Sequence, residues 1–120
     1  MKGDIRIKRA YEAPSTDDGT RVLVDRLWPR GLSKDKAALD LWARDIAPSN
    51  DLRKAYHASG DYGVFREAYF EEMKSNPAAQ GFISSARAFL AKGPLTLVGG
   101  SREILKSNVS VLRDWLEEQE

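Results

Sequence analysis

Charged side chains suited to binding an anion follow a short apolar run, Val-Leu-Val, in the first quarter of this chain. The run ends at Asp25 and Arg26, and Arg30 follows four positions after Arg26. A guanidinium group can hold a carboxylate or a phosphate through two parallel hydrogen bonds, so the two arginines favour an anionic ligand. The alternative is structural: Asp25 and Arg26 form a half-buried ion pair with each other, or with Asp40 or Asp45.

A second candidate site follows another apolar run, Leu95–Val98. The sequence Gly99-Gly100-Ser101 comes next, and we expect it to lead straight into the last helix. Free backbone N–H groups and the helix dipole would then favour an anion, and Arg102 in the first turn would add a positive charge. The turn matches neither the dinucleotide-binding fingerprint nor the P-loop, so it can also serve only to change the chain direction.

Two further polar residues are candidates for the same site. His57 is the only histidine, and its ordinary pKa lies closest to neutrality, so a general acid–base step at pH 7 would favour it. The alternative for His57 is a capping or surface residue. Asn108 shares the predicted apolar face of the last helix with Leu105, Leu112 and Trp115, where its amide needs a partner and can line a pocket.

Three strands are expected to position these side chains, at residues 5–11, 21–26 and 95–98. The last two are continuous apolar runs, which are typical of strands buried on both faces of a parallel sheet. The carboxyl ends of parallel strands meet at one edge, where open α/β sheets bind ligands. Residues 22–25 and 95–98 should therefore lie side by side, with Asp25 and Gly99 at the same edge.

Helices fill most of the remaining sequence. The predicted helices run from Ser33 to about Ile46, from a cap at Ser49 or Asn50, from Asp61, from Asn76-Pro77, and from the turn at Ser101 to the end. The order of elements predicts one helix-rich α/β domain over residues 1–120. Its small, mostly parallel sheet should have three or four strands, flanked by about five helices.

Composition excludes several classes of site. The chain has 120 residues, no cysteine and one histidine, which excludes disulfides, cysteine-ligated zinc and a multi-histidine metal site. No metal site is predicted, and no cofactor is indicated. The net charge of +1 gives no reason by itself to expect nucleic acid. No apolar run reaches the roughly 20 residues that span a bilayer, and the N-terminus lacks a secretory signal, so a cytosolic protein is expected.

The chain resembles the family called domain of unknown function 488, in its short YeaO-like branch, over nearly its whole length. The most specific motif, Arg-Val-Leu-Val-Asp-Arg-Leu-Trp-Pro-Arg-Gly, stands unchanged at residues 21–31. Other matching segments are Lys8-Arg9-Ala10-Tyr11, Ser33-Lys34, Ala47-Pro48-Ser49, Leu52-Arg53-Lys54 with His57, Phe65-Arg66 with Tyr69, Leu95-Thr96-Leu97 and Asp114-Trp115-Leu116. The resemblance implies a fold and a candidate site, but no established activity.

One segment departs from the pattern of this family. After the third strand, relatives usually carry a tyrosine, one or two small residues and a lysine, and later an Asn-His pair in the helix. This chain has Gly99 to Arg102 at the first place and Ser107-Asn108 at the second. If the tyrosine and the histidine carry a reaction in relatives, this chain has lost or changed it.

Three functional hypotheses follow, and whether the protein is an enzyme stays open. The first is a pocket for a small anionic ligand, with His57 as the catalytic candidate. The second is a nucleic-acid-associated module that places Lys8, Arg9, Arg26 and Arg30 on phosphates. The third is a non-catalytic protein-interaction domain with an exposed patch at Trp28 and Leu32. The ligand contacts expected under the first hypothesis are Lys8, Arg26, Trp28, Arg30, Gly99, Gly100, Ser101, Arg102 and Asn108.

Overall fold

A parallel sheet of four strands forms the centre of the molecule. The computed structural model describes all 120 residues. The strands are β1 (Ile5–Arg9), β2 (Thr20–Leu23), β3 (Leu41–Trp42) and β4 (Leu95–Gly99), in the order β1-β4-β2-β3. Each neighbouring pair is parallel. The register pairs Val22 with Leu97 and Leu23 with Val98, which confirms the predicted juxtaposition of the two buried runs.

Five α-helices accompany the sheet, so the helix-rich α/β prediction is confirmed. They are α1 (Lys34–Ala37), α2 (Asn50–Ser59), α3 (Tyr62–Ser75), α4 (Ala79–Leu90) and α5 (Asn108–Glu117). Ser49 and Asp61 cap α2 and α3 through their side-chain oxygens, as the sequence predicts. No helix has both the length and the apolar character needed to cross a membrane.

The two faces of the sheet are covered differently. Side chains of Val22, Leu95 and Leu97 belong to one apolar core together with residues of α3, α4 and α5. The opposite face carries Arg21 and Thr96, which contact the loop before β2. Period-two alternation along each strand accounts for this division.

The helix predicted from residue 33 to residue 46 is wrong, because α1 stops after one turn. Ala38 adopts a left-handed conformation with φ 48°, and Leu41–Trp42 then pairs with β2. The buried Arg21 donates from Nη2 to the carbonyl of Ala37 at 2.9 Å and from Nε to that of Ala38 at 3.1 Å. These long-range bonds satisfy carbonyls at the end of the turn, and the chain leaves the helix to form an edge strand instead.

The last helix also begins later than predicted. A 3₁₀ turn covers Ile104–Lys106, and the hydroxyl of Ser107 caps α5 by accepting from the N–H of Val109 at 3.1 Å. Arg102 is therefore not in the first turn of a helix, and Gly99 to Ser101 do not form a helix N-terminus. Leu105, predicted to be in the core, is 69% exposed.

Candidate functional site

A cleft of about 910 Å³ lies at the carboxyl edge of the sheet. Its walls come from the segment after β2 (residues 25–30), the segment after β4 (residues 100–103), the start of α5, and the last turns of α2. The parallel pairing of β2 with β4 brings the first two segments together. The cleft therefore occupies the place where open α/β sheets bind ligands.

The side chain of Asp25 connects these segments. Its Oδ2 accepts a hydrogen bond from the backbone N–H of Gly100 at 2.8 Å, and its Oδ1 accepts one from Nδ2 of Asn108 at 3.1 Å. Asn108 also donates to the carbonyl of Val24 at 3.2 Å. Burial raises the pKa of Asp25 above its ordinary value of 3.8, although the two hydrogen bonds act in the opposite direction.

Arg26 forms no ion pair with Asp25, Asp40 or Asp45, so the ion pair expected as the alternative is wrong. Its guanidinium group instead donates to two backbone carbonyls, from Nε to Pro48 at 3.2 Å and from Nη2 to Ala47 at 3.1 Å. These bonds fix the arginine beside α2, and its positive charge has no carboxylate partner.

Gly99 has a packing role in this turn, and the N–H of Gly100 has a partner within the protein. A Cβ on Gly99 would lie 2.4 Å from Cγ2 of Val109 and 3.0 Å from Oδ1 of Asp25. The missing side chain therefore lets α5 and Asp25 approach β4, and does not make room for a ligand. The N–H of Gly100 already has a protein acceptor, since it donates to Asp25.

Positive charge predominates around the cleft. Two carboxylates, Asp25 and Glu103, line it together with five lysine or arginine side chains, which are Arg26, Arg30, Arg53, Arg102 and Lys106. None of the five forms an ion pair with a carboxylate of the protein. All but Arg26 are exposed. The cleft therefore presents uncompensated positive charge at its rim and a carboxylate between its walls.

Most of the residues predicted for the site come together in this cleft, but two do not. Those that line it are Arg26, Trp28, Arg30, His57, Gly100, Ser101, Arg102 and Asn108. Lys8 lies elsewhere, with its Nζ 3.0 Å from a carboxylate oxygen of Asp18. Gly99 is buried and does not line the cleft.

His57 and Trp28 have different surroundings within the cleft. The imidazole of His57 is exposed near the C-terminal end of α2 and has no hydrogen-bond partner in the protein. The indole of Trp28 is half-buried: its Nε1 donates to the carbonyl of Leu32 at 2.6 Å, and its ring packs edge-on against Trp42. Trp28 is thus held in place, whereas His57 lacks the orienting group that a general base needs.

Apart from His57, sequence reasoning missed the contribution of α2 and its neighbours to the cleft. Tyr56 stacks on Phe65 with 4.3 Å between ring centroids, and its hydroxyl donates to the carbonyl of Lys106 at 2.6 Å. Arg53 lies one helical turn before Tyr56 and so shares its face. The spacing of Arg53, Tyr56 and His57 along one side of a helix, with Gly60 at its end, was the available signal.

Comparison with known proteins identifies the family. Residues 4–120 match the model described as the inactive DUF488-N3 subclade. The chain belongs to this subclade. No solved structure matches it.

Curated relatives match over almost their whole length. The chain is 40% identical over 114 residues to the uncharacterized protein YeaO of Escherichia coli K12, covering 94% of this chain and 96% of YeaO. It is 35% identical over 113 residues to the uncharacterized protein Rv3073c of Mycobacterium tuberculosis H37Rv, covering 93% of this chain and 92% of that protein. The uncharacterized protein Mb3100c of Mycobacterium bovis matches to the same extent. These matches confirm the resemblance to the YeaO-like branch.

Proposed function

We propose that this protein is a binding domain for a small anionic molecule, which it holds in the cleft without chemical turnover. One observation carries the proposal: five cationic side chains line the cleft, and none of them has a carboxylate partner in the protein. The chain has 18 acidic residues against 19 lysines and arginines, so carboxylate partners are not scarce in the molecule as a whole. A phosphate or carboxylate group would supply the missing negative charge through bidentate and charge-assisted hydrogen bonds.

Two observations support binding without catalysis. His57 carries the only imidazole in the cleft, and no side chain orients it for proton transfer. The subclade is described as inactive. This agrees with the departure from the family pattern noted above. The segment Gly99 to Arg102 lacks the tyrosine that relatives usually carry, and Asn108 stands where they carry the helix histidine.

The competing hypotheses have weaker support. In a nucleic-acid surface built on Lys8, Arg9, Arg26 and Arg30, three members already make contacts within the protein, and Arg26 is held by the carbonyls of Ala47 and Pro48. Lys8 pairs with Asp18, and Nε of Arg9 donates to the carbonyl of Ser101. In the interaction surface proposed at Trp28, the indole N–H already donates to the carbonyl of Leu32. The cytosolic location stays a prediction.

Calorimetric titration with pyrophosphate and with glycerol 3-phosphate tests the proposal, with glycerol as the uncharged control. We expect both anions to bind and glycerol not to bind. In the double variant Arg53→Gln, Arg102→Gln the affinity should fall about tenfold or more, because bonds between a cation and an anion are the stronger class of hydrogen bond. Both side chains are exposed and make no hydrogen bonds, so the fold should not change.

The matched control is the double variant Arg87→Gln, Lys92→Gln, which removes two exposed cations outside the cleft. Its affinity should equal that of the wild type. Absence of binding by both anions would overturn the proposal. An equal loss of affinity in the two double variants would also overturn it, because binding would then depend on overall charge and not on the cleft.

A further inference from the structure

Asp25 is a carboxylate of the cleft that has no cationic partner. Its two hydrogen bonds come from neutral donors, the N–H of Gly100 and the amide of Asn108. An ionised carboxylate has about four acceptor sites, so capacity remains for another donor. The nearest arginine in sequence, Arg26, instead donates from Nη2 to the carbonyl of Ala47 and from Nε to that of Pro48.

A withdrawn carboxylate whose donors are all neutral has an energetic cost. A carboxylate that is withdrawn from water is stabilised best by an opposite charge, and neutral donors compensate only part of the lost hydration. The raised pKa of Asp25, which burial causes, is the expected sign of incomplete compensation. A cationic donor that entered the cleft would therefore gain a strong interaction with this side chain.

We infer that Asp25 recognises an ammonium group of the ligand, and that the cleft takes a small zwitterion carrying both an amine and a phosphate or carboxylate. This inference rests on the proposed function, since the anionic end of the same ligand would contact the exposed cations at the rim. The two charges of the ligand match the two regions of the cleft: Asp25 lies between the walls, and Arg53 and Arg102 stand at the opening.

A matched pair of probes separates the two parts of the inference. O-Phosphoethanolamine carries a phosphate and an ammonium group, and ethyl phosphate carries the phosphate alone. By calorimetry with the full chain, we expect O-phosphoethanolamine to bind about tenfold or more tightly than ethyl phosphate, because a charge-assisted hydrogen bond is added. The Asp25→Asn variant should bind the two probes equally.

Glu103→Gln is the matched control, because Glu103 is the other carboxylate of the cleft and its exposed side chain makes no hydrogen bond. This variant should keep the preference for the amine. The substitution at Asp25 also disturbs the contacts to Gly100 and Asn108, so a measurement on the wild type is included. The ¹³C resonance of the Asp25 carboxyl group should shift on addition of O-phosphoethanolamine and much less with ethyl phosphate.

The outcomes are distinguishable. If neither probe binds, the proposed function fails and the inference fails with it. If both bind the wild type equally and the Asp25 resonance responds alike, the role of Asp25 is overturned while the anion site stands. Loss of the preference in Glu103→Gln, with the preference kept in Asp25→Asn, would assign the amine to Glu103 and overturn the inference.

Discussion

Asp25 is the residue at which three separate segments of the chain meet. It follows β2, and its carboxylate accepts hydrogen bonds from the N–H of Gly100 after β4 and from the amide of Asn108 at the start of α5. Since burial raises the pKa of Asp25, the folded protein holds the proton of this carboxyl group more tightly than the unfolded chain does. Asp25 therefore contributes stability at low pH that is lost as the pH rises through its raised pKa.

Replacing Asn108 by Ala should raise the pKa of Asp25 further. The amide of Asn108 donates to the carboxylate and favours its ionised form, so its removal leaves burial less opposed. A pH titration of the Asp25 carboxyl group by ¹³C NMR measures the effect. Asn50→Ala, at an exposed position outside the cleft, should leave the titration unchanged. An unaltered pKa in Asn108→Ala would show that this hydrogen bond does not act on the charge.

At the scale of elements, the segment between β2 and β3 depends on one strained residue. Ala38 ends α1 in the left-handed region at φ 48° and ψ 51°, a conformation that glycine adopts without the steric cost of a Cβ. The bend turns the chain so that Leu41–Trp42 can pair with β2. This pairing and the adjacent bonds from Arg21 offset the strain.

Ala38→Gly should stabilise the protein by about 0.5–1 kcal/mol, because relief of the left-handed strain exceeds the entropy that glycine loses. Urea unfolding measures the change in unfolding free energy, and the slope of that free energy against urea concentration should stay constant. Ala88→Gly, at an exposed position within α4, is the matched control and should destabilise by about 1 kcal/mol. Equal destabilisation by both substitutions would mean that the backbone at residue 38 relaxes without cost.

At the scale of the whole molecule, apolar contacts cover one face of the sheet, and a polar network packs on the other. On the face opposite the helical core, Asp18 lies 2.7 Å from Arg21 and 3.0 Å from Lys8, and its carbonyl accepts from Thr96. Asp18 and Arg21 are 6% and 4% exposed, so their charges have little access to water. This buried network joins β1, β2 and β4 to the loop before β2.

Asp18→Asn should destabilise the fold by about 3–5 kcal/mol, since it leaves two cations without their shared carboxylate. Asp4→Asn is the matched control: its ion pair with Arg6 is exposed, and its loss should cost less than about 1 kcal/mol. Urea unfolding at pH 7 compares the two. If Asp18→Asn lowers the unfolding free energy as little as Asp4→Asn does, a structural role for the network is contradicted.

The same carboxylate predicts a pH dependence of stability. Burial raises the pKa of Asp18, but hydrogen bonds from Ser15, Lys8 and Arg21 outweigh it and hold the pKa below 3.8. The stabilisation from Asp18 is therefore complete above about pH 3.8 and lost as the pH falls through the lower folded value. The difference in unfolding free energy between wild type and Asp18→Asn should shrink over this acid range.

The sequence by itself determined the features that depend on local pattern. Two continuous apolar runs predicted the neighbouring parallel strands β2 and β4, and capping side chains marked the starts of α2 and α3. Parallel pairing alone then placed Asp25 and Gly100 at the same edge, so most of the candidate site could be predicted.

Only the tertiary structure decided what depends on partners distant in sequence. The apolar periodicity of residues 33–46 favours a helix, but the buried Arg21 binds the carbonyls of Ala37 and Ala38, and the chain forms an edge strand. Lys8 was predicted to contact a ligand, but in the folded chain it pairs with Asp18. The N–H of Gly100 was expected to be free for an anion, but it donates to the carboxylate of Asp25. A buried hydrogen bond or ion pair outweighs the small differences in local propensity, and its partner is known only when the chain has folded.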